Sequence, residues 1–277
     1  PYCPSCSRAR LRRAPVGHRA EGWVAAKAER FGDVITWHHI VLKRTDHASA
    51  YGDDRRTAMT IYDVATKFTA CYPLPNKSSE QAERALRHFI GPQRVKLLYS
   101  DGSGEIEAAA ASLGIPHDKS FPRVHETNAI IERRNETILG GVRTILERAG
   151  FPACFWPLGA RYFGHALNIE MDDGTSAWHR HHNRGHVGQS ALIPFGAMVD
   201  FLPDRSKAKW KRHGKFAPKA VPGVFLGWHL HNGHAWRKEY LVAALSDCKA
   251  LNFAYNAMGE DARLPVHRVR ELVFHTP

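Results

Sequence analysis

The spacing of apolar positions changes period several times along the chain, and each change marks an element. Residues 33–42, DVITWHHIVL, have the length and β-branched content of a strand. TAMTIYDVA and FTACYPL read as two more, joined by a tight turn through Tyr-Asp-Val-Ala-Thr-Lys. Ser78 and Gln81 form a capping-box signal for a helix on which Ala82, Leu86, Phe89 and Ile90 recur at helical spacing. VKLLYS supplies a fourth strand, EIEAAAASLG a short helix and IPHDKSF a fifth strand. A three-strand meander followed by crossover units predicts an α/β fold, a mixed five-stranded sheet with helices on its faces.

Beyond this sheet, Ile131, Ile138, Val142, Ile145 and Ala149 fall on one stripe of a long helix, and FPACFWPLGARYFGHALNIE reads as another, its aromatic residues serving packing. Residues 171–190 turn polar and carry His179, His181, His182 and His186. With no acid or Cys to complete a metal set, they read as a solvated linker. From Ile193 onward short apolar runs alternate with turn signals: FGAMVDF, VPGVFLGW, EYLVAAL, CKALNFAY and VRELVF. Each reads as a strand, and together they fit a small β-barrel. The expected division is an N-terminal remnant over 1–30, an α/β core over 31–170, a linker over 171–192 and an all-β unit over 193–277.

Two acids stand out in this frame. Asp101 follows the apolar run Val95, Leu97, Leu98, Tyr99 and precedes Gly102 and Gly104, which places it where a buried strand breaks into a turn. Glu132 is one residue, about 100° of rotation, from Ile131 and so flanks the buried stripe of its helix. Two carboxylates on rigid elements at one end of a sheet suit a divalent metal site for phosphoryl transfer, since hard cations such as Mg²⁺ take oxygen ligands. A third acid would complete it.

Lys plus Arg number 39 against 27 Asp plus Glu, a net charge of +12 with a pI near 9.7, which favours a polyanionic partner. The cations cluster at Arg8 to Arg13, Lys43 to Arg56 and Lys207 to Lys219, with a further group at Arg133, Arg134 and Arg143. Such clusters neutralise backbone phosphates without reading base sequence, so the binding they give is salt-sensitive. Within RSKAKWKRHGK, the cations Lys209, Lys211 and Arg212 flank Trp210, which either stacks on a base or sugar or covers the edge of the β unit. Five cysteines show no secreted disulfide framework, and no signal-peptide pattern opens the chain. No apolar run approaches 18 residues, so no membrane partner is expected. A reducing compartment follows. The first residue is Pro1, which suggests a piece of a longer polypeptide or an incomplete gene product. Cys3 and Cys6 have the C-x-x-C spacing of a zinc half-site. His18 lacks a partner, so no bound zinc is expected.

SDGSGEI resembles the block around the second acid of copia-type retrotransposon integrases, and HETNAIIERRNETILGGVRTIL resembles the helix bearing their third. PYCPSCSRARLRR is similar to the end of that family's zinc-binding module, FGDVITWHHI to its first strand, and AMTIYDVATKFTACYPLPNKSSEQA to its second and third. IPFGAMVDF and KFAPKAVPGVFLGW resemble the start of its small C-terminal β-barrel. The resemblance implies a ribonuclease H-like core and two-metal chemistry with Mg²⁺ or Mn²⁺ on double-stranded DNA: 3′ processing, then strand transfer. It also implies a homo-multimer assembled on element ends and target, a nuclear place of action, and a cytoplasmic particle otherwise. Asp101 and Glu132 match the second and third acids.

The position of the first acid holds His38, and imidazole is a poor Mg²⁺ ligand that cannot bridge two ions. Asp33 falls on the opposite strand face by period-two alternation. Asp46 and Asp53 lie in a polar loop, and Asp63 matches a turn acid that is not a ligand. The interval of 30 residues between Asp101 and Glu132 is shorter than the family's, and Ala129 stands where the family has Gly. The expectation is an integrase fragment of impaired activity. Its rival is a catalytically silent nucleic-acid-binding remnant.

Overall fold

The computed structural model describes residues 28–43, 49–50, 55–119, 125–188, 192–203, 215–251 and 263–274. Strands β1 (Ile35–Val41), β2 (Thr57–Asp63) and β3 (Thr69–Leu74) form the expected antiparallel meander. Helix α1 (Ser79–Ile90) follows, its first turn closed by the Ser78 hydroxyl accepting from the Gln81 amide at 3.4 Å. The chain then crosses to β4 (Leu98–Ser100), α2 (Gly104–Leu113) and β5 (His117–Lys119), with β4 and β5 parallel to β1. The sheet order is β3-β2-β1-β4-β5, the mixed five-stranded sheet that the pattern predicts.

Alternation along β1 sends its side chains to two different cores. Ile35 and Trp37 join Met59, Ile61, Leu86, Phe89 and Ile106 under α1 and α2. Ile40 joins Ala58 and Cys71 under helices α3 (His125–Ala149) and α4 (Trp156–Ile169). On α3 the buried stripe is Ile131, Asn135, Ile138, Val142 and Leu146. Gly141 lies on the side of α3 that meets α4: a Cβ there would sit 2.0 Å from the Phe163 ring.

Helix α4 also covers the open edge of β3. Asn168 uses both ends of its amide there, accepting from Thr69 N at 2.8 Å and donating to Thr69 O at 2.7 Å.

Residues 171–188 depart from the solvated linker expected of them. A short hairpin, β6 (Met171–Asp172) and β7 (Thr175–Ser176), leads into α5 (Ala177–His182). Trp178 and His181 are buried, and the His181 ring stacks on Phe68 at 4.1 Å. Imidazole presents an apolar face, so a polar-looking histidine run can dock as an aromatic one.

The second unit is a five-stranded antiparallel sheet in the order β11-β10-β9-β8-β12. Its strands are β8 (Met198–Phe201), β9 (Val221–Leu230), β10 (Trp236–Ala244), β11 (Val266–Val269) and β12 (Leu272–Phe274). Two expectations are corrected here. Leu245–Ala250 forms helix α6, so the strand expected from Cys248 does not begin there. VRELVF spans parts of two strands that pair at opposite edges of the sheet, with only Arg270 and Glu271 between them. Three peptide steps reach at most about 11 Å, so the sheet curls until its edges nearly meet. No ladder joins β11 to β12 among the described residues, so this unit is described as a curled sheet and not as a closed barrel.

The two sheets share a buried seam. Gly91 after α1 and Gly233 in a 3-10 turn (Asn232–His234) approach so closely that a Cβ on Gly91 would lie 2.6 Å from Gly233 Cα. His234 is buried in this seam and meets the Tyr72 hydroxyl at 2.6 Å, which in turn meets His88 Nδ1 at 2.9 Å.

Candidate active site

His38 sits in the middle of β1 opposite Thr60 and projects toward α3. Asp101 follows β4, the parallel neighbour of β1. The Ser100 hydroxyl donates to Asp101 O at 2.7 Å and meets His117 Nε2 at 2.8 Å, which fixes the turn. The strand-end position read from the sequence is therefore correct, and it brings Asp101 Oδ2 to 3.4 Å from His38 Nε2. Hydrogen bonding to His38 holds the Asp101 carboxyl below its ordinary range, with the Lys77 charge adding to the effect and burial opposing it.

The other ring nitrogen is engaged as well. Asn135 Nδ2 lies 3.1 Å from His38 Nδ1, which leaves Nε2 as the ring nitrogen facing Asp101. Asn135 was missed in the sequence. Its signal was a polar residue interrupting the apolar stripe between Ile131 and Ile138, where a buried amide needs a partner. Glu132 lies three residues earlier on α3, about 4.5 Å along its axis. It is exposed and, among the described residues, its side chain makes no hydrogen bond or ion pair.

The fit to a divalent cation can be judged from these contacts. Asp101 Oδ1 and Asn135 Oδ1 are buried and, among the described residues, have no hydrogen-bond partner. His38 offers none: each ring nitrogen is already committed, and a metal would have to break one of those bonds. One carboxylate, one amide oxygen and an occupied imidazole do not fit a pair of Mg²⁺ ions, which need carboxylates to bridge them.

Neighbouring acids serve the fold. Asp33 accepts from the amides of Glu29 and Arg30 and pairs with Lys96 at 2.6 Å, contacts that pull its pKa down to about 2. Asp63 is fully buried and accepts from Gly32 N, Thr66 N and the Thr66 hydroxyl, tying the β2–β3 turn to the start of β1. His39, next to His38, faces the other way, 3.7 Å from Glu105, which binds Lys77 at 2.6 Å.

Of the cations singled out, Arg133 and Arg143 are exposed. Arg134 lies over the Tyr62 ring at 4.5 Å and donates to its hydroxyl at 3.4 Å, so it packs on the sheet. Cys3, Cys6, Lys209, Trp210, Lys211 and Arg212 lie outside the described residues. Elsewhere, the ligand atoms of His229, His231 and Glu239 lie within 4.8 Å of one another. Glu239 is already taken by Arg268 at 2.5 Å and Arg270 at 3.1 Å, which makes this an ion-pair network and a poor place for a further cation.

No family model matches the chain. The retrovirus-related Pol polyprotein from transposon TNT 1-94 of Nicotiana tabacum is 38% identical over 186 residues, which cover 61% of this chain and 13% of that protein. The corresponding polyproteins from transposons RE2 and RE1 of Arabidopsis thaliana are 31% and 30% identical over 112 residues, 38% of this chain and 8% of each. The chain thus spans a small part of the relatives it matches. It is a retrotransposon-derived sequence, homologous to a segment of the copia-type Pol polyproteins of plant transposons.

Proposed function

We propose that the chain is the integrase segment of such an element, a ribonuclease H-like core followed by a small β-barrel-like unit, with its phosphoryl-transfer site impaired at His38. The observation that carries this reading is the convergence of β1, β4 and α3 on one spot, with Asp101 at the strand end and Glu132 one helical turn from Asn135. In an intact site of this kind, carboxylates at these places hold the ions that activate the attacking oxygen and stabilise the leaving one. Here Asp101 and Glu132 occupy the sequence positions of two of the three, with Glu132 exposed and outside the His38–Asp101–Asn135 contacts, and the imidazole of His38 pairs with Asp101 in place of the third.

A second reading is favoured by that same bond. Because His38 fills the position with its own hydrogen-bonded partners, the core is held together without cations, as suits a silent DNA-binding remnant. Strand transfer with paired DNA ends and Mg²⁺ or Mn²⁺ separates the two. Metal-dependent joining that Asp101→Asn abolishes supports the integrase reading. Salt-sensitive DNA binding with no joining by either the native chain or His38→Asp supports the remnant.

A further inference from the structure

Between the two sheets runs a cleft of about 510 Å³, within the size range of small-molecule sites. It follows the edge of β3 and is walled by α1, α4 and strands β9 and β10. It shares no residue with the His38, Asp101, Asn135 and Glu132 group, and its assignment stands apart from the reading of that group.

The cleft's charge is one-sided. Arg55, Arg84 and Arg161 line it, and among the described residues no carboxylate does. Arg55 is steered by a bond from Nη1 to Pro73 O at 3.0 Å. Arg84 and Arg161 are exposed, and among the described residues neither has an ion-pair partner. Arg161, on α4, lines the cleft together with Tyr72, His88 and His229.

The second observation is independent of charge. His165, on α4, lines the same cleft, is 1% exposed, and among the described residues has no hydrogen-bond partner on either ring nitrogen. Its ring is held by Trp178 at 5.4 Å and Trp228 at 4.9 Å. A buried imidazole with both nitrogens unpaired costs stability unless something polar completes it. Neutral imidazole carries one N–H donor, and three guanidiniums supply forked donors that match phosphate oxygens.

We propose that this cleft binds a small anion bearing two or more phosphate groups, with Arg84 and Arg161 clamping it at the mouth, Arg55 at the β3 edge and His165 donating from the floor. Isothermal titration calorimetry with inorganic tripolyphosphate tests this on the full chain. Saturable one-to-one binding is expected, weakened at least tenfold in Arg84→Ala/Arg161→Ala, whose exposed positions leave folding intact. His165→Asn, which keeps a donor, should bind more tightly than His165→Leu. Absence of saturable binding, or equal binding by the double arginine variant, overturns the proposal. So does a short DNA duplex that binds with the same arginine dependence and fully displaces tripolyphosphate, because the cleft would then be part of a nucleic-acid track.

Discussion

On the proposed integrase reading, His38 decides the chemistry because both its nitrogens are in contact, Nε2 with Asp101 and Nδ1 with Asn135. Replacing it with aspartate would set two carboxylates side by side, each unfavourable for the other until a cation arrives. His38→Asp should therefore gain a metal-dependent stability that the native chain lacks. At ten times its dissociation constant a bound ion contributes about 1.4 kcal/mol, a Tm rise of about 3–5 °C for a chain of this size. Differential scanning fluorimetry with and without Mg²⁺ reads it directly, and equal shifts in both proteins would refute the argument. The same substitution should raise Mg²⁺-dependent strand transfer by on the order of a thousandfold if the rest of the site is sound. Asp101 was legible in the sequence because a strand end is a local fact, and His38 because the first strand resembles that of a known family. Asn135's role was not, since nothing local says which polar residue crosses to another element.

Among the elements, the meander and α1 follow the sequence pattern within two residues at each end, because each is set by contiguous alternation or by a cap. The strand expected at CKALNFAY does not begin at Cys248 for a physical reason: Leu245–Ala250 packs as a short helix at the end of β10, a tertiary choice that overrides a short apolar run, while Asn252 onward lies outside the described residues. Two contacts between elements can be tested by stability. Asn168→Ala leaves Thr69 N and O without their partners and should cost on the order of 2 kcal/mol in denaturant unfolding. Gly141→Val drives a branched side chain into the Phe163 ring and should cost about 1–3 kcal/mol, with Phe163→Ala restoring part of the loss.

Across the whole molecule, the histidines make the fold sensitive to acid. Burial lowers the pKa of His165 to about 3 and those of His181 and His39 to about 4. A histidine depressed in the folded state binds its proton in the unfolded chain first. Stability is therefore full above about pH 6.5 and falls as pH drops toward the folded values. Three such groups titrating together remove at most about 4 kcal/mol per pH unit, enough to exhaust a typical domain between pH 6 and 4. Circular dichroism across that range should show cooperative loss, shifted to lower pH in His165→Phe. Linear sequence placed these residues poorly: His181 and His182 read as linker because nothing in their neighbours announces that the rings of Phe68 and Trp178 await them.

The pairing of β12 with β8 has a kinetic consequence. Phe274 meets Val199 across more than seventy intervening residues, so the loop they close is among the longest that the second sheet requires. Loop closure is slow when most of the chain must be collected before any contact rewards it. The second sheet should thus complete its ladder last, after the locally wired meander has formed. A chain halted before Leu272 would carry β8 with one bare edge, ready to recruit a strand from another copy.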